Sequence, residues 1–180
     1  MHMMDHWRTV RRHRALVRRY CLRVGLVRQG LTHDLSKYAP VEFRRGIKYY
    51  QGFRSPNDEE RRETGMSIAW LHHKGHNRHH FEYWIDYQVS EDGRVTMGGC
   101  KMPKKYVAEM FCDRIAACRV YQGAQYTDAS PYDYYKRSKG HIWIHPDTGA
   151  LLERWLLLLK EEGEEVAFAR IRQEMKDKSY

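Results

Sequence analysis

Residues 103–122 read PKKYVAEMFCDRIAACRVYQ, and the rest of the chain is best read outward from them. A proline suits the first turn of a helix, where its missing N–H costs nothing. The spacing predicts a helix over 103–122 that puts Tyr106, Met110, Asp113, Ala117 and Val120 on one face. Asp113 is the odd member of that set. A carboxylate on the inner face of a helix is costly unless a cation or strong donors meet it. A buried arginine would meet it, and so would a metal ion.

Upstream, Val10, Val17, Tyr20 and Val24 form one helical stripe within 5–25, and His6 and His13 fall on the same stripe. Gly25 and Gly30 punctuate a short connection that leads directly into His33-Asp34. Pro40 starts a helix to about Tyr50, closed by Gly52. Residues 51–65 read as a polar loop whose acidic end could start another helix, and 66–74 as a helix with Ile68, Leu71 and His72 on one side. Phe81–Tyr87 is expected to continue as helix, with a strand as the alternative, and Glu91–Arg94 to turn a short hairpin near 88–100. Further helices are expected from Ser130-Pro131 to about Lys136 and from Pro146 to about Lys160. A last one near 164–176 follows Gly163. The predicted fold class is all-α: one helical bundle over 1–180, with its site-bearing core at about 6–122 and the helices of 130–176 completing it.

Apolar residues make up 42% and charged residues 31% of the 180, a balance that excludes a disordered chain. No apolar run approaches the roughly 20 residues of a membrane span; the longest is Trp155–Leu159. The opening Met-His-Met-Met-Asp lacks the apolar core of a signal peptide, so a cytoplasmic location without membrane contact is expected. Cys21, Cys100, Cys112 and Cys118 show no CxxC spacing, and Cys112 and Cys118 read as small buried side chains. The net charge is +9, with Arg8, Arg11, Arg12, Arg14, Arg18 and Arg19 crowding the first helix. Such a field suits a phosphate-bearing ligand, whether nucleic acid, nucleotide or phosphoester. A solvated helix face is the plainer explanation.

Residues 72–80 read HHKGHNRHH, placing five of the eleven histidines in one short stretch. Imidazoles and carboxylates are the ligands that zinc, iron and manganese prefer. Gly75-His76-Asn77 argues for a helix end, leaving His79 and His80 on a loop beside the pocket. Taken in order, His13, His33-Asp34, this cluster and Asp113 offer donors from separate helices, as in metal sites within helical bundles. Adjacent His and Asp can reach one ion where a helix begins or ends, because the roughly 100° splay between neighbours relaxes there.

HDLSK at 33–37 is similar to the HD-x-G-K box of one branch of the HD-domain superfamily of metal-dependent phosphohydrolases, with Ser36 where glycine usually stands. LHHKG at 71–75 resembles that branch's double-histidine segment, and VAEMFCDRIAA at 107–117 the helix bearing the superfamily's last aspartate. The strings HDLSKYAPVEF, AWLHHKG, HHFEYWIDY and MPKKYVAEMFCDRIAA look more closely like a small bacterial and phage family within it, one that brings no established activity. The resemblance implies His33, Asp34 and Asp113 as metal ligands, with His13, or His6 in its place, as the upstream histidine. His72 or His73 would add a ligand or a general acid, and Lys37 would hold a phosphate oxygen. The dinuclear pattern also needs a histidine between the HD box and the double histidine, and 35–71 contain none. One ion rather than two is therefore expected, unless His76, His79 or His80 fills the gap.

The expected function is hydrolysis of a phosphoester, a nucleotide or other phosphorylated small molecule, by water activated on a divalent ion of manganese, zinc, iron, magnesium or cobalt. His13, His33, Asp34, His72 and Asp113 would hold the ion, and His73 or His79 would protonate the leaving oxygen. Lys37, Arg12 and Arg18, with His76 and His80, would contact substrate. Two other readings stand beside it: a di-iron oxygenase of the same superfamily, and a non-catalytic basic module that binds nucleic acid or a partner.

Overall fold

In the computed structural model, which describes residues 2–177 and 180, the N-terminal stripe becomes helix α1 (Met3–Arg23). It buries His6, Val10, His13, Val17, Tyr20 and Cys21, the spacing the sequence predicts. Helix α2 (Val27–Thr32) folds back on α1 through Gly30, where an added Cβ would lie 3.0 Å from Cys21 Cβ and 3.2 Å from the Arg18 carbonyl. A 3-10 turn, Leu35–Tyr38, leads to α3 (Pro40–Lys48). Helix α4 (Pro56–Thr64) is capped by Ser55 and α5 (Ile68–His76) by Ser67, whose hydroxyl accepts from the Trp70 amide at 3.0 Å.

A hairpin of β1 (Ile85–Val89) and β2 (Val95–Gly99) follows, antiparallel with Ile85 opposite Gly99. Helix α6 (Lys104–Gln122) then crosses the molecule, and α7 (Ser130–Ser138) and α8 (Pro146–Glu174) complete it. Gly163 bends α8, with φ 80° and ψ 173°, where the sequence sets one helix apart from the next. No described helix is long and apolar enough to cross a membrane.

Helix α6 divides the interior. Val107, Phe111, Cys112 and Ile115 are fully buried in one core with Val17 and Cys21 of α1 and Leu152, Trp155 and Leu156 of α8. Burying each large side chain contributes roughly 1.5–3 kcal/mol. The face holding Met110, Asp113, Ala117 and Val120 lines a cavity of ≈ 550 Å³, with Met110 shared between the cavity and the core. Part of the charge asymmetry is internal: Glu164 of α8 receives Arg119 at 2.6 Å and also pairs with Arg23, so the two ends of the chain hold each other.

Two segments differ from expectation. Phe81–Trp84 forms a 3-10 turn and Ile85–Val89 a strand, because the β-branched and aromatic residues find pairing partners in 95–99. On α5, Ile68 and Leu71 face outward, while Ala69 and His73 are buried. Carboxylate–imidazole bonds rather than apolar contacts hold its inner side.

His6 lies over Gly46, tilted against Phe43 and edge-on to Tyr50. Burial, aided by the charge of Lys37, pushes its pKa from 6.5 to about 4. A histidine with a depressed folded-state pKa contributes stability that is present above its unfolded value and lost as pH falls. Urea unfolding should therefore show stability dropping between pH 6.5 and about 4, and less so in His6→Phe. A Cβ on Gly46 would collide with the His6 ring. Gly46→Ala should cost about 1–3 kcal/mol in the same assay.

Candidate metal centre

The centre is built around a break in the backbone. His33 closes α2 in an extended conformation (φ −49°, ψ 128°), and Asp34 follows in the left-handed region (φ 53°, ψ 29°). Asp34 is the one described non-glycine residue with positive φ, a conformation aspartate tolerates better than most. Arg14 of α1 donates to the His33 carbonyl at 2.8 Å and pins the turn. The two side chains are thereby directed inward together, with His33 Nε2 3.3 Å from Asp34 Oδ2 and Asp34 only 1% exposed.

Two donor clusters meet at this carboxylate. In the first, His13, His33, Asp34 and Asp113 each offer a ligand atom, all within 4.8 Å of one another. His13 Nε2 stands 2.9 Å from Asp113 Oδ1 and 3.4 Å from His33 Nε2. Asp113 thus meets histidines, not a buried arginine. In the second, Asp34, His73, His79 and His80 satisfy the same limit. His73 Nε2 and His79 Nε2 approach the other Asp34 oxygen, Oδ1, at 3.3 and 3.4 Å.

Outer carboxylates set the tautomers. Glu109 Oε1 receives His33 Nδ1 at 2.9 Å and His79 Nδ1 at 3.2 Å, and Glu42 Oε2 receives His73 Nδ1 at 2.8 Å. An ionised carboxylate only accepts, so these Nδ1 atoms carry protons and Nε2 is the nitrogen that faces Asp34, free to give its lone pair to a cation once its own proton is displaced. Carboxylates behind ligating imidazoles are the usual outer partners of a metal site. A third set of donors, His33, His79 and Glu109, uses these same Nδ1 contacts. We assign it to orientation, since each ring can turn only one nitrogen to the centre.

The residues fit a cation. Both Asp34 oxygens and the Nε2 atoms of His79 and His80 are buried without a hydrogen-bond partner. Lys37 Nζ comes within 2.8 Å of Asp34 Oδ2, but as an ion pair without hydrogen-bond alignment. Buried polar atoms left unmatched are costly and call for an occupant. Charge balance points the same way. Burial opposes charge on His33, yet Asp34, Asp113 and Glu109 outweigh it and hold the imidazole well above its ordinary value. Burial also opposes ionisation of Asp34 and Asp113, but His33 and Lys37 pull the first far down and His13 and His33 the second. The clusters therefore hold negative charge that protons partly answer, and a cation would replace those protons.

The cavity opens over this floor. His13, Asp34, His73, His80 and Asp113 line it, with Lys37 beside them. Among the expected ligands, the structure brings His13, His33, Asp34 and Asp113 together and leaves His6 outside, over Gly46. His72 joins neither cluster: its Nδ1 binds Glu42 Oε1 at 2.6 Å, and it faces the surface, stacked on an exposed His76. His73, His79 and His80 lie in the second cluster. Arg12 and Arg18 stand on the solvent face of α1, because the turn that carries His13 and Val17 inward carries them out. The arginines that line the cavity are Arg54, Arg61 and Arg114.

Glu42 and Glu109 escaped the sequence reading. Glu109 lies one turn before Asp113 on α6, so the argument that singled out Asp113 would have found it. Glu42 sits in the first turn of α3, where an acidic residue has an ordinary reason to be.

The protein is thus a mainly helical domain with one small hairpin, whose helices and the turns beside them bring two histidine–carboxylate clusters to the floor of a cavity. A family model described as a family of unknown function (DUF5662) matches residues 2–157, and the chain belongs to that family. No curated protein and no solved structure matches it.

Removing an outer carboxylate should loosen metal without removing a ligand. Glu109→Gln is expected to lower affinity about 10- to 100-fold, read as metal retained against a graded chelator. Glu153→Gln, on the exposed Lys139 pair, should leave it unchanged.

Proposed function

We propose that this protein hydrolyses a phosphoester, using divalent cations held on both sides of Asp34. The observation that carries the reading is the pair of donor clusters sharing that one carboxylate at the base of a cavity lined by lysine and arginine. The resemblance of 33–37, 71–75 and 107–117, which carry several of the same residues, to metal-dependent phosphohydrolases of the HD-domain superfamily points the same way. Seven donor residues around two positions favour two ions over one, with His79 and His80 supplying what 35–71 lack. When bound, such cations supply Lewis-acid polarisation of a phosphoryl oxygen and a water activated near neutral pH.

The chain's own groups have separable tasks. His13, His33, Asp34 and Asp113 hold one position, and Asp34, His73, His79 and His80 the other. His73 and His79 are then ligands rather than proton donors, since Nε2 faces Asp34 and Nδ1 is given to a carboxylate. Lys37, in the cavity wall beside Asp34, offsets charge on the phosphoryl oxygens. Farther out, Trp70 with Arg61 at 5.5 Å from its ring offers an aromatic face and a cation together. Glu82 Oε2 and Arg114 Nε, both in the cavity lining and both buried without partners, add an acceptor and a donor for a polar substrate. A volume of ≈ 550 Å³ suits a nucleotide-sized molecule.

The same seven donors favour one second reading, a di-iron centre that oxidises its substrate with dioxygen. Metal content separates the two: two irons per chain with oxygen uptake supports oxidation, and manganese, zinc or magnesium with phosphate release supports hydrolysis.

A panel of phosphomonoesters and phosphodiesters, assayed for phosphate or alcohol release with added manganese, tests the proposal. Turnover should fall about 10²- to 10³-fold in Lys37→Ala, with metal content retained. Asp34→Ala should lose metal from both positions, while Asp113→Ala should lose it from one. A metal-loaded protein inert on the whole panel would overturn hydrolysis.

A further inference from the structure

His72 and His76 belong to neither buried cluster and do not line the cavity. They sit four residues apart on α5, so they share a helical face. Their rings are stacked, with centroids 4.0 Å apart and planes at 19°. His76 Nδ1 lies 2.7 Å from the carbonyl oxygen of His72. A carbonyl can only accept, so Nδ1 bears the proton and Nε2 the lone pair. His72 Nδ1 lies 2.6 Å from Glu42 Oε1, which fixes its proton in the same way. Both rings are thus held in the tautomer that leaves Nε2 unprotonated, and no described group bonds either Nε2. An imidazole lone pair lies in the ring plane, so the two stacked rings must tilt apart to share one ion.

Glu42 makes the arrangement more than a chance pair. Its other oxygen receives Nδ1 of His73, whose Nε2 faces the buried centre. One carboxylate therefore backs two adjacent imidazoles, one aimed inward at Asp34 and one partly exposed to solvent. A carboxylate behind an imidazole is the support that orients a metal-binding histidine and raises its basicity. His72 has that support as fully as His73 does.

We propose that His72 and His76 form a separate, solvent-facing site for one borderline divalent cation of the zinc, nickel or copper(II) class, with water completing the coordination. Two imidazoles without a carboxylate ligand favour these ions over magnesium or calcium, which take oxygen donors. Two protein ligands at the surface hold an ion less firmly than the four donors of each buried cluster, so the occupant exchanges. Through Glu42 it lies one hydrogen-bonded carboxylate away from His73. The inference stands whether or not the buried centre performs hydrolysis.

The test uses full-length protein carrying its tightly held metal, freed of loosely bound ions by brief dialysis. Calorimetric titration with zinc should show one further equivalent in the wild type. His76→Ala changes an exposed residue outside both clusters and the cavity, so it should fold normally and keep its buried metal by elemental analysis. Its affinity for the extra zinc should fall at least tenfold. A magnesium titration of the wild type should show no binding at this site. The proposal is overturned if the wild type takes up no further zinc, or if His76→Ala binds it as tightly. Loss of the buried metal in His76→Ala would also overturn it, because the two sites would then not be separate. A failed phosphoester panel with intact zinc binding would sink the hydrolytic reading and leave this one standing.

Discussion

Imidazole nitrogens and carboxylate oxygens converge on the buried Asp34 at the floor of the cavity, with Lys37 beside it. That convergence is the constraint on which the rest of the structure turns. Without a proton or a metal between them, His13, His33, Asp34 and Asp113 would place like partial charges 2.9 to 3.5 Å apart in a buried space. Chain elements far apart in sequence are committed to holding them there. Arg14 pins the His33 carbonyl, α2 ends early, Asp34 takes a left-handed conformation, and Glu42 and Glu109 fix the ring orientations. Such an arrangement destabilises the metal-free fold, and backbone strain of this kind persists only where surrounding structure enforces it.

The enforcement comes from α6 and α1. Each has one face in the apolar core and another in the site, so the helix that places Asp113 is anchored by Phe111 and Ile115 against α8. The half of the centre built from α3 and α5 is held differently. There the inner contacts are Glu42 with His72 and His73, and Asn77 with Ser36 at 2.7 Å. The first cluster therefore rests on apolar packing and the second on polar bonds. Loss of metal should loosen the α3–α5 side more than the α1–α6 side.

The helical class and most element positions were legible because apolar periodicity and proline–glycine punctuation act locally. Pro103, Gly163 and the 6–24 stripe needed no tertiary information. Asp113 was legible for a related reason: a carboxylate among apolar neighbours advertises that something must meet it. The outward turn of Ile68 and Leu71 was hidden, since α5 is held by imidazoles and carboxylates whose partners lie some 30 residues away. The break in the histidine cluster was legible: Gly75-His76-Asn77 marks a helix end, and the chain ends α5 at His76 and carries His80 into the cavity wall. Which of His72 and His73 turns inward was hidden, since Glu42 bonds both. Arg12 and Arg18 drew attention by charge alone, and charge does not say which way a helix faces.

Anomalous diffraction from crystals of protein purified without chelator, with the metal identified by elemental analysis, tests the sharing of Asp34 most directly. Two peaks are expected, one on each side of that carboxylate. One should be bounded by His13, His33 and Asp113 and the other by His73, His79 and His80, at about 2.0–2.2 Å from the ligating atoms. Crystals of metal-bearing protein with no peak beside Asp34, and His33 bonded to it through a proton instead, would contradict the account.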